Sequence, residues 1–136
     1  MHEFALADAV ISAALETADK QNLSHITAIA VRIGELQQID RETFEFALKE
    51  VIPNSEPRLA GTSITLEVQH ASFRCRACEA EFTLDQTRGP LVEDQLEAIH
   101  FIPELARAFI RCPDCRSLDF ELLTGRGVSI DYIEGE

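Results

Sequence analysis

The chain has 136 residues, with 24 acidic against 12 basic side chains, a formal charge of −12, and four cysteines. At 46% hydrophobic and 26% charged it is too apolar for a disordered tail and fits one domain, or one domain with a small satellite; its acid excess argues against non-specific nucleic-acid binding, which relies on Lys and Arg against phosphate. No apolar run approaches the roughly 20 residues of a membrane span, and Met1-His2-Glu3 opens without a signal-like stretch, so the expected compartment is the cytoplasm, where clustered cysteines bind metal more often than they pair.

Residues 4–20 have the spacing of an amphipathic helix. Phe4, Ala7, Val10, Ile11, Ala14, Leu15 and Ala18 form the apolar stripe, and Asp8, Ser12, Glu16 and Asp19 the solvated one. Asn22 and Ser24 end it. His25 to Ile33 reads as a strand through the alternation of Ile29, Val31 and Ile33, and Gly34 breaks it. Asp40 is placed to cap a second helix with the stripe Phe44, Ala47, Leu48 and Val51. Pro53 closes that helix, and Pro53 to Pro57 reads as loop. After Gly61-Thr62, Ile64, Leu66 and Val68 alternate with polar residues as a half-buried strand. Two short strand-like pieces surround Phe73 and Phe82. The acidic stretch Asp85 to Ala108 is expected to be partly helical from Leu91 onward. Gly125 and Gly127 flank a turn, and Val128, Ile130 and Tyr132 form a last strand.

The strands before and after the cysteine region need one another's edges. The expected fold is therefore α+β: a small sheet of about three strands with two helices, plus an inserted zinc-ribbon-like module. The discontinuous main domain would span 1–70 and 122–136. The zinc-binding domain would span 71–121, with its partly helical insert at 85–108.

Cys75-Arg76-Ala77-Cys78 and Cys112-Pro113-Asp114-Cys115 are two C-x-x-C knuckles with 33 residues between them. A two-residue gap lets both sulfurs of a tight turn face one ion. Two such turns supply four corners of a tetrahedron about 2.3 Å from zinc. Because all four positions are filled by protein, the reading favours structural over catalytic zinc. Metal would decide whether so small a module is ordered, since structural zinc contributes about 10–16 kcal/mol of apparent binding energy in small fingers. Arg74, Arg76, Arg111 and Arg116 are expected to offset the formal charge of a tetrathiolate centre. A rubredoxin-like iron site is the rival, and two separate redox dithiols are a weaker one. Glu79 and Arg116 stand where such knuckles usually carry Gly, which weakens both the rubredoxin reading and a strict zinc-ribbon match.

His2 follows the initiator directly. The Met1 amine, the amides of His2 and Glu3, and the His2 imidazole form adjacent donors that close fused chelate rings. A planar nitrogen set of this kind suits Ni(II) or Cu(II) better than zinc; the plainer reading is an exposed histidine beside the start.

Met1-His2-Glu3 before an amphipathic helix resembles the start of the HypA/HybF family of [NiFe]-hydrogenase maturation proteins. Further matching pieces are Val31-Arg32-Ile33-Gly34-Glu35-Leu36, Phe44 to Ala47, Gly61-Thr62, the two C-x-x-C pairs and Tyr132-Ile133-Glu134. The resemblance implies a nickel metallochaperone with an α/β nickel-binding domain and a zinc domain. It would deliver nickel to the hydrogenase large-subunit precursor with the nucleotide-hydrolysing partner HypB. Met1, His2 and Glu3 match the family's nickel motif, and Cys75, Cys78, Cys112 and Cys115 its zinc ligands. Asp85 to Ala108 resembles the longer-insert variety and contains His100, a further candidate nickel ligand whose plainer and favoured reading is a packed or surface histidine. His25 and His70 read as ordinary surface or edge residues. No phosphate loop of the form G-x-x-x-x-G-K-[ST] occurs, and no catalytic apparatus is expected. The competing classes are a zinc-ribbon module binding nucleic acid or protein, and a rubredoxin-like electron carrier.

Overall fold

The computed structural model describes residues 2–37, 39–87, 93–102 and 110–136. The chain groups into two units. The first comprises Met1–Arg32, Ile39–Glu67 and Val128–Glu136, and the second Ile33–Gln38 and Val68–Gly127. The architecture is α+β, with two three-stranded sheets and few helices among the described residues.

In the first unit, helix α1 (Glu3–Lys20) buries Glu3, Ala7, Val10, Ile11, Ala14 and Ala18. Phe4 was expected on this stripe but is 48% exposed, and Glu3 takes the inward position beside it. The helix ends in a left-handed residue, Asn22 at φ 58°. The Leu23 N–H reaches back to the Ala18 carbonyl at 2.8 Å, the usual way of satisfying carbonyls at a helix end. Arg58 reinforces this end, donating to the Leu23 carbonyl at 2.9 Å and pairing with Asp19 at 2.8 Å.

Strand β1 (Ile26–Gly34) follows, with Ile29, Val31 and Ile33 buried as their alternation predicts. Asp40 caps helix α2 (Arg41–Phe46), its carboxylate accepting from the N–H groups of Glu42 and Thr43. The chain then widens into one π-helical turn, Ala47–Val51. The expected Pro53–Pro57 loop is wound into short 3-10 turns, Ile52–Ser55 and Pro57–Leu59. Each has a proline near its start, where a fixed φ and a missing N–H do no harm. Strand β2 (Ser63–Gln69) and the last strand, β6 (Val128–Gly135), flank β1 in the order β2-β1-β6. Hydrogen bonds from Gly34 to Gly127 and between His25 and Glu136 mark the two ends of an antiparallel β1–β6 pair. Helix α1 packs on α2 and β6.

The second unit is built on strands β3 (Ser72–Cys75), β4 (Glu81–Thr83) and β5 (Phe120–Thr124), antiparallel in the order β4-β3-β5. Strand β5 was not foreseen: Phe120-Glu121-Leu122-Leu123-Thr124 has little β-branching and no clean alternation. It forms because β3 offers an open edge, and its register sets Cys75 opposite Phe120 and Phe73 opposite Leu122. Phe73 stacks on Phe82 at 5.3 Å, and Phe120 meets both rings edge-on. Around these rings lie Leu36, Ala71, Leu84, Ile99 and Ile110, with Cys75 and Cys112. Ile99 comes from helix α3 (Glu93–Phe101), inside the stretch expected to be partly helical. The rest of that expectation, over residues 88–92 and 103–109, lies outside the described residues.

Three separate segments of the second unit cross at one point. Leu36 donates to the Gly125 carbonyl at 2.8 Å, and Glu35 donates to the Gln69 carbonyl at 2.8 Å. The Glu35 carboxylate accepts from the Ala71 N–H at 2.8 Å. Gly34 is needed here because a Cβ would lie 2.3 Å from the Gly125 carbonyl oxygen.

Candidate metal centre

Both knuckles fold by one hydrogen-bond pattern. In the first, the Cys75 N–H donates to the Ala80 carbonyl at 2.9 Å, and the Glu79 N–H to the Cys75 carbonyl at 2.9 Å. In the second, the Cys112 N–H donates to Ser117 at 3.1 Å, and the Arg116 N–H to Cys112 at 2.8 Å. The residue after each second cysteine, Glu79 or Arg116, has φ 62°. The left-handed conformation that usually recruits glycine is thus kept by two residues that carry a Cβ. The first cysteine of each pair is buried and the second exposed.

The knuckles bring all four sulfurs to one place, with the ligand atoms within 4.8 Å of one another. Across the pairs, Cys75 and Cys115 approach to 3.5 Å and Cys78 and Cys112 to 3.7 Å. Sulfurs at tetrahedral corners about 2.3 Å from a zinc ion lie about 3.8 Å apart. A disulfide would need about 2.05 Å. The four cysteines therefore form a metal-binding cluster whose spacing and donor type are consistent with zinc.

The thiols do not share protons equally. The Cys78 N–H, with a smaller contribution from Ala77, draws the Cys75 thiol down to about 7 against opposing desolvation. The Ala80 N–H acts in the same direction on Cys78. There, desolvation and the Cys112, Cys115 and Cys75 thiols outweigh it and push the group up to about 12. Four crowded sulfurs resist common ionisation until a cation joins them, so metal uptake must expel protons.

Arg74 and Arg76, expected to offset the charge of this centre, are held by carboxylates instead. Arg74 pairs with Glu81 at 3.7 Å and Glu121 at 3.4 Å. Arg76 pairs with Asp119 at 3.0 Å and Glu121 at 3.7 Å. The Arg74 pairs are cross-strand partners set by register, and the Arg76–Asp119 pair sits just past the ends of β3 and β5, where the Arg76 N–H also donates to the Asp119 carbonyl.

Of the N-terminal residues, Met1 lies outside the described residues. His2 is exposed and is the residue from which α1 starts, its carbonyl accepting from Leu6 at 2.8 Å. The Glu3 side chain is buried, and one of its oxygens accepts from the Asp40 N–H at 2.9 Å. Its carboxyl is drawn down to about 2, first by the chain's N-terminal ammonium, then by the N–H groups of Asp40 and of Glu3 itself. This link to Asp40 was missed from sequence. Asp40 is legible as a helix cap, but nothing in the pattern connects it to a residue 37 positions earlier.

His100 belongs to the second unit, on α3, and His2 to the first. It is half-buried, lies edge-on to Phe101 at 5.1 Å, and its carbonyl accepts from Arg126 at 3.2 Å. His25 binds through its backbone to Glu136, and the exposed His70 ring lies 3.5 Å from Glu35.

A sequence profile described as "Hydrogenase/urease nickel incorporation, metallochaperone, hypA" matches residues 1–135. A "Hydrogenase maturation factor HypA" of Pyrococcus abyssi is 48% identical over 136 residues, covering all of this chain and 96% of that protein. Its namesake from Pyrococcus horikoshii is 45% identical with the same coverage. Among solved structures, the fold is similar to the solution structure of the Ni metallochaperone HypA from Helicobacter pylori. That match has a TM-score of 0.64 at 19% identity, covering 99% of this chain and 97% of that one.

Proposed function

The chain belongs to the HypA family of hydrogenase/urease nickel-incorporation metallochaperones, and from that premise we propose that it carries Ni(II) for [NiFe]-hydrogenase maturation without chemistry of its own. Nickel is the cargo. The Met1 amine, the His2 amide and imidazole, and the Glu3 amide are its donors, and the large-subunit precursor is its destination, reached with HypB. The observation that carries this reading is the placement of His2 and Glu3. His2 is exposed at the start of α1, while the Glu3 carboxylate is turned to Asp40. The first amides of a helix lie outside its i-to-i−4 ladder, and the Glu3 amide, which meets its own carboxylate, would give up that proton to nickel. The positive end of the helix dipole also eases the charge of a deprotonated amide. An exposed terminus lets a receiving protein replace one donor at a time.

Cys75, Cys78, Cys112 and Cys115 are proposed to hold one structural zinc ion, which closes the second unit and leaves no position for substrate. His100, on α3, is kept as a second candidate nickel ligand against the plainer reading of a packed or surface histidine, which its apolar neighbours in sequence favour. The protein would act in the cytoplasm, without nucleic acid or membrane as partner; among the described residues no helix is long and apolar enough to cross a membrane.

A nickel titration of the native chain, His2→Ala, and a version with one residue added before Met1 tests the site. Tight binding should be lost in both altered proteins, since one lacks the imidazole and the other displaces the amine. Equal binding by all three would remove the N-terminal site. Weakened binding in His100→Ala would support the second unit's histidine, and unchanged binding would exclude it.

A further inference from the structure

Glu79 and Arg116 occupy equivalent places in the two knuckles, and both are held at φ 62°. Among non-glycine residues, Asn and Asp tolerate that conformation best, because their short side chains bond locally; Glu and Arg have no such relief. Both side chains are exposed, and among the described residues neither makes a hydrogen bond or ion pair. Side-chain contacts therefore do not repay the unfavourable backbone. What holds each turn are the hydrogen bonds that the Glu79 and Arg116 N–H groups donate to the Cys75 and Cys112 carbonyls, and any ion the sulfurs close upon.

We propose that both knuckles bind their metal against backbone strain, so that zinc is held more weakly, and exchanges faster, than the same four thiolates would hold it on glycine-bearing turns. Losing the ion removes one of the two restraints on these turns and leaves the hydrogen bonds alone to hold Glu79 and Arg116 at that φ. The module is thereby biased toward opening when metal leaves. This inference rests on the zinc reading of the cluster. It adds that the affinity is set partly by two residues that do not touch the ion.

The test is competition for zinc against a chromophoric chelator, using the full chain as native protein, Glu79→Gly, Arg116→Gly and the double variant. Glu79→Ala and Arg116→Ala serve as controls that remove the charge but keep the Cβ. Metal content of the native protein is measured first. A chain purified with iron, or with no stoichiometric zinc, sinks the zinc reading itself. With zinc present, each glycine variant should bind about threefold to tenfold tighter than its alanine counterpart, and the pair by about the product. Tenfold corresponds to about 1.4 kcal/mol. Zinc release into excess chelator should slow in the same order. Glycine variants that bind and release zinc like the alanine variants would overturn the proposal while leaving the zinc site intact.

Discussion

Glu3 does two things at the start of α1. Its backbone begins the helix, and its carboxylate reaches the N–H of Asp40, whose own carboxylate caps α2. One short chain of hydrogen bonds thus orients both helix starts. Because the Glu3 carboxyl is drawn down from 4.5 to about 2, its stabilising contribution is complete above about 4.5. The contribution is lost as pH falls toward 2, since only the unfolded chain would then take up the proton readily. The melting-temperature difference between the native protein and Glu3→Gln should therefore be largest near neutrality and narrow below about pH 4. A difference that stays constant across that range would assign the effect to shape and not to charge. Asp40→Ala removes the cap from α2 and should cost about 0.5–2 kcal/mol, read by denaturant unfolding. At the knuckles, Glu79 and Arg116 show that an absent glycine does not mean an absent turn, because sequence reports the residue type and the hydrogen bonds impose the φ.

Among the elements, the point where three segments of the second unit cross gives Gly34-Glu35-Leu36 a physical reading. Gly34 is kept small by the Gly125 carbonyl, Glu35 satisfies the Ala71 N–H, and Leu36 is fully buried among the rings of the second unit. Gly34→Ala should destabilise the protein by about 1–3 kcal/mol, because backbone cannot move aside as a side-chain tip can. Gly127→Ala is the comparison. A Cβ there meets nothing within 4 Å, but φ is +83°, so its cost should be that of left-handed strain alone, about 1–2 kcal/mol. Equal, negligible losses for both would contradict the close approach at Gly34. Strand β5 teaches the complementary lesson. Its own residues argue weakly for a strand, and pairing along β3 decides the matter.

For the whole molecule, two units of the same chain are stabilised in different ways. The first buries the inward face of α1 and the side chains of Phe44, Ala47 and Leu48 with the apolar residues of β1. The second has a three-ring centre and two cysteines within its core, so the metal cluster is part of that core. If the cluster holds the proposed zinc, removing it with a strong chelator should collapse the amide NMR signals of residues 72–83 and 110–124 while those of α1 persist. Re-adding zinc should restore them. Retention of the β3–β5 signals without metal would show that the rings suffice. Much of this organisation is legible in the chain itself. Helical periodicity gives α1, the Asp40 cap gives α2, alternation gives β1, β2 and β6, and the C-x-x-C spacing gives the cysteine cluster. Each of these is written in residues a few positions apart, and the matching of the two knuckles rests on both carrying the same short motif. Tertiary structure alone decided that Glu3 turns inward while Phe4 faces solvent, that Leu36 joins the cysteine unit, that Arg74 and Arg76 serve carboxylates, and that β5 exists. Each of these depends on a partner tens of residues away, and no local pattern records which distant group will claim a hydrogen bond, a charge or a strand edge.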